Sequence, residues 1–223
     1  MRTSINVLQL LRRIVTAGAL ALGSSGTLHA LVYDFDNIVT GGGPRANAAE
    51  RVFLQRAGQY MCVDIRESRV QPTNRVFFTF WSLVPHPNSR IRIIAFDTGR
   101  HKDLFSSVSV LTQSPGVDAK PLPASPHPFL QHFTPDYMFG AQAPGGVKPG
   151  NSIVVAATLA SGKAFANVVS AINEGFNPAT AATGLRIGVI ALYVLGGPPP
   201  GVATIYDDGG WAMNATSPRC QRR

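Results

Sequence analysis

The sequence predicts a mainly β protein: a single-domain sandwich of jelly-roll type with one or two short helices. Three observations carry that prediction. Short runs of aromatic and β-branched residues recur along the chain. Proline, glycine and asparagine punctuate them as turns. Only one segment shows a clean helical stripe.

The first 30 residues read as a secretory signal peptide. Arg2, Arg12 and Arg13 precede the apolar run Ile14 to Gly23, and Gly26 to Ala30 ends that run on a small residue. The apolar run is about half the roughly 20 residues needed to span a bilayer, which favours cleavage near Ala30 over anchoring. The working chain is then 31–223, one exported domain long enough to bury a sizeable core.

The elements follow in order. Tyr60 to Ile65 and Arg75 to Leu83 read as strands separated by Pro72-Thr73-Asn74. Ile91 to Phe96 follows the breaker Pro85-His86-Pro87-Asn88, and Val108 to Thr112 begins as a half-exposed alternation. Ser152 to Leu159 comes after Pro149-Gly150-Asn151. Leu185 to Leu195 is too short to cross a membrane and reads as a buried strand. Val202 to Tyr206 reads as the last strand, and Asp207-Asp208-Gly209-Gly210 as a tight turn. Phe165, Val168, Val169 and Ile172 draw a helical stripe, with Gly175 as its stop. A second helix is expected within Arg45 to Tyr60, although its apolar residues are contiguous rather than striped.

Residues 114–150 differ in kind, holding eight of the 17 prolines. Proline cannot donate to a sheet ladder, so the stretch reads as a long flap broken only by Phe129 to Phe139.

The formal charge of +8 is concentrated at the chain ends. Between Leu31 and Pro218 stand 14 basic and 12 acidic residues, without the basic stripe that nucleic-acid binding demands. Cys62 and Cys220 both lie in the exported part, and an even count in an oxidising compartment predicts a disulfide between them.

The chemistry-bearing candidates are few. His127, His132 and Asp136 could ligate a divalent metal, zinc or copper, from within the flap. Their spacing matches no metal signature, and Phe129, Leu130 and Phe133 between them could instead dock on the core. Asp34, Asp36 and Asn37 could meet Asp207 and Asp208 around calcium if the terminal strands were neighbours. Ser161 has no nucleophile elbow around it and reads as a turn before the helix. Trp211, Tyr137 and Phe139 are the aromatics expected to lie open to a ligand.

The functional expectation is an exported, non-catalytic binding or structural protein without a cofactor. Its partner would be an extracellular or envelope ligand, with no transmembrane span in the mature chain. The alternative is a metal-dependent enzyme or metal-binding protein built on His127, His132 and Asp136.

Overall fold

A computed structural model describes residues 31–39, 60–69, 72–83, 89–125, 133–142, 144–176, 183–196, 203–212 and 220. The protein is mainly β and is consistent with a sandwich of two antiparallel sheets. The strands are β1 (Leu31–Val39), β2 (Met61–Glu67), β3 (Arg75–Ser82), β4 (Arg90–Asp97) and β5 (Phe105–Gln113). They continue with β6 (Ala119–Leu122), β7 (Tyr137–Ala141), β8 (Ser152–Leu159), β9 (Arg186–Gly196) and β10 (Ala203–Ala212). One described helix, α1 (Phe165–Phe176), joins β8 to β9.

The first sheet runs β5-β8-β3-β2-β1 and the second β1-β10-β9-β4-β7-β6. β1 belongs to both. Leu31 to Asp34 pair with β2, whereas Phe35 to Val39 pair with β10 across a register break between Phe35 and Asn37. An irregularity of this kind bends a strand and lets it change sheets.

Alternation along the strands puts one set of side chains between the sheets. On β3, Val76, Phe78 and Phe80 are fully buried while Phe77 and Thr79 are half-buried. Phe78 meets Phe96 of β4 edge to face at 5.0 Å, and Phe96 also meets Phe80 at 6.1 Å and Phe139 at 6.5 Å. These rings join the sheets through the edge-to-face geometry that aromatic quadrupoles favour.

Several sequence expectations change here. Residues 207–210 do not turn. They lie inside β10, where Gly209 and Gly210 pair with Val39 and Ile38 on one side and with Ile190 and Val189 on the other. Pairing from both neighbours overrides the local turn preference.

The Pro-rich stretch also contains β6 and β7. Pro121 is tolerated because β6 pairs only with β7, leaving an edge where no donor is needed.

The helix runs through Gly175 rather than stopping before it. A Cβ on Gly175 would stand 2.5 Å from the Leu185 carbonyl oxygen, so glycine serves close packing here. At the other end, Asn167 Oδ1 accepts the Ala164 amide at 2.8 Å, an N-terminal cap. Val168, Ala171 and Ile172 face the core.

Cys62 and Cys220 form the expected disulfide, with Cα atoms 5.7 Å apart. It lies on the outward face of β2 against Trp81, with Val32 and Leu83 packed around it. The suggested helix within Arg45 to Tyr60 lies outside the described residues apart from Tyr60.

Candidate functional site

Among the described residues, a dense polar cluster is built on the turn from β4 to β5. Gly99 adopts φ of 57°, and a Cβ there would come within 2.3 Å of the Thr183 carbonyl oxygen. That close approach lets the Arg100 amide donate to Thr183 O at 2.9 Å.

Asp97, the last residue of β4, is 2 % exposed. Its Oδ1 accepts the Gly99 amide at 3.0 Å, and its Oδ2 accepts the Thr134 amide at 2.9 Å and bonds the Arg186 guanidinium. Arg186 in turn lies 4.8 Å from the centroid of Phe133, a cation–π contact. Phe133 packs with Ala95, Met138 and Ile190 on the outer face of the second sheet. Phe133 and Thr134, midway along the Pro-rich stretch, are therefore fastened by one buried carboxylate, one guanidinium and one ring.

Asp136 is a second anchor. Its Oδ2 accepts from the Thr98 amide at 2.9 Å and the Thr98 hydroxyl at 2.6 Å, while Lys102 Nζ reaches both oxygens at 2.7 and 2.8 Å. Burial alone would raise its pKa. The Lys102 and Thr98 hydrogen bonds outweigh burial and hold the carboxyl below its ordinary value.

Glu174 of α1 gathers the third group. It accepts from Thr183 Oγ1 at 2.5 Å, pairs with Arg100 at 3.0 and 3.1 Å, and meets His101 Nε2 at 2.9 Å. The Thr183 and His101 hydrogen bonds lead the effects that lower its pKa. Asp103 is likewise lowered, first by its hydrogen bond with Lys163, 2.7 Å away.

Chemically this is a saturated cap. Its four carboxylates hold cations or hydroxyls, and they tie the flap, α1 and β9 to one turn. His101 and Glu174 have the spacing of a base and its orienting carboxylate, but the described contacts bring no hydroxyl or thiol to that ring.

Of the aromatics expected to lie open, Phe139 and Tyr137 have described side chains. Phe139 is 2 % exposed and belongs to the core, so the expected open surface loses it. Tyr137 is half-buried and packs on the same core, with its hydroxyl 3.5 Å from the Phe105 carbonyl oxygen. Burial, then the Asp136 charge, raises its pKa. Trp211 lies in β10, its backbone opposite Asn37 of β1 and Gly188 of β9, and its side chain lies outside what the structure describes. β9 and β4 separate its strand from that of Tyr137, so roughly 14 Å of sheet lies between them.

Asp136 is the described member of the candidate metal trio; His127 and His132 lie outside the described residues. Among the described residues no three His, Cys, Asp or Glu side chains are grouped to hold a metal. A cation entering at Asp136 would have to displace the Lys102 ammonium.

The calcium idea gains its neighbouring strands, since β1 pairs with β10. The register nevertheless works against it. Asn37 stands opposite Trp211, three residues or about 10 Å along the strand from Asp208.

Sequence reasoning missed Asp97, Arg186, Glu174, His101 and Lys102. One signal was available: Arg100-His101-Lys102-Asp103 is a run of polar charge directly after a buried strand, in a chain with only 14% charged residues. Among the described residues no helix is long and apolar enough to cross a membrane. Comparison with protein-family models, curated proteins and solved structures returned no match.

Proposed function

We propose that this chain is an exported, non-catalytic β-sandwich with a binding or structural role outside the cytoplasm. The observation that carries the reading is the Cys62–Cys220 disulfide, which fastens the end of the chain to β2 across 158 residues. Such a bond persists in an oxidising compartment and is rare in a reducing one. The charged cap adds support, because its acids and bases are engaged in holding elements together rather than poised for proton transfer.

The test is native mass spectrometry of protein from the exported fraction, prepared without chelators, followed by screening against glycans and envelope components. A metal-free mass with measurable ligand affinity supports the binding reading. A bound metal that is lost in His127→Ala would favour the metal alternative at His127, His132 and Asp136. Affinity unchanged in both Trp211→Ala and Tyr137→Ala would remove those aromatics from the binding surface.

A further inference from the structure

One buried acid takes no part in the cap. Asp64 is 6 % exposed on β2, two residues from Cys62 and on the same outward face of the sheet. Its cross-strand neighbours are Thr79 of β3 and Val32 of β1, and Val32 packs against the cluster of Cys62, Trp81 and Cys220. One carboxylate oxygen lies 2.5 Å from Arg66 Nε. The other, Oδ1, is buried and has no hydrogen-bond partner among the described residues. A buried polar atom without a partner carries a desolvation cost and calls for an explanation.

We infer that Asp64 is the proton acceptor for the Cys62 thiol when the Cys62–Cys220 disulfide closes. Cys62 is the second residue of β2 and is fully buried, and Cys220 is 3 % exposed once the bond has closed. In this scheme a small disulfide such as glutathione disulfide reacts first at Cys220, which leaves Cys62 as the attacking thiol. Cys62 must then attack the Cys220 sulfur of that mixed disulfide. A thiol buried among apolar groups ionises poorly.

Asp64 takes the proton from Cys62 as the sulfur–sulfur bond between Cys62 and Cys220 forms. The bond from Cys220 to the small thiol breaks, and the departing thiolate receives the proton. Two protein sulfurs are oxidised, and the small disulfide is reduced to two thiols over both steps. Burial raises the proton affinity of Asp64, partly offset by Arg66, which suits a carboxylate to this exchange. Cys62 and Asp64 lie roughly 7 Å apart along the strand, within reach of two side chains that share a face.

The test follows closure of the reduced, folded protein by glutathione disulfide, with alkylation and mass spectrometry separating the mixed disulfide from the closed product. Asp64→Asn should slow the second step at least about tenfold near pH 6.5, with the gap narrowing towards pH 8.5 as the thiol ionises unaided. A purely structural effect would change the rate by one factor at every pH.

Asp34 stands opposite Cys62 in the β1–β2 register, so Asp34→Asn is the companion variant, expected to close at the wild-type rate. Equal rates for Asp64→Asn and wild type, faster closure in Asp64→Asn, or slowing confined to Asp34→Asn would each overturn the proposal. If reduced Asp64→Asn does not fold, the wild-type profile decides. A rate that levels off between about pH 5 and 7 supports a carboxylate acceptor, and a tenfold fall per pH unit across that range contradicts it.

Discussion

The outward faces of the two sheets are secured by opposite means. On the first sheet, Cys220 is held to Cys62 by a covalent bond set among Trp81, Val32 and Leu83. On the second, Phe133 is held by Asp97, Arg186 and Thr134, and the neighbouring turn by Lys102, Asp136 and Glu174. One closure answers to reductant and the other to protons and charge. Two attachments on one sandwich can therefore be released separately.

Breaking the covalent side should have the largest effect. In the loop-entropy account a closure of this length contributes up to ~5 kcal/mol. Cys62→Ala with Cys220→Ala should lower stability towards that figure in denaturant titration, with the charged cap still formed in the folded protein.

The next largest effect belongs to the charged side. Arg186→Ala leaves the Asp97 carboxylate buried without its guanidinium, a change that typically costs about 3–5 kcal/mol. Hydrogen exchange should then show weaker protection of Thr134 and Gly99, with β2 and β3 little changed.

Acid sharpens the contrast. Glu174, Asp136 and Asp103 all have lowered pKa values in the fold, led respectively by Thr183, by Lys102 and Thr98 against burial, and by Lys163. Their stabilisation is present above the unfolded carboxylate range and is lost as pH falls through the lowered values, below about pH 4. Exchange protection of the 98–104 turn should collapse there while the Cys62 region persists.

The smallest expected effect has the opposite sign. Burial raises the pKa of Asp64, so the folded protein binds that proton more tightly than the unfolded chain does. Its charged form therefore opposes folding at neutral pH, and this penalty fades as pH falls through the raised value. Asp64→Asn should raise Tm slightly at pH 7 and leave it nearly unchanged near pH 3.

Local pattern and long-range pairing divide what the sequence could reveal. The reading of Ser152 to Leu159 coincides with β8, because turn residues before it and a dense β-branched run define its limits. The disulfide was legible from the parity of two cysteines in one inferred compartment. By contrast, β6 contains Pro121, and its strand character comes from pairing with β7. Asp207 to Gly210 carry the composition of a turn and become strand because all four pair with β9, and Gly209 and Gly210 also with β1. The cap was least legible. Asp97, Asp136, Glu174 and Arg186 lie far apart in the chain, and only the folded sheets bring them to one turn.

The most direct test of an exported, disulfide-closed sandwich is the intact mass of the protein from each cell fraction, before and after reduction. The account predicts an exported chain starting near Leu31 that gains two hydrogens on reduction, one for each of Cys62 and Cys220. A chain retained in the cytoplasm with its first 30 residues attached and no mass change on reduction would contradict it.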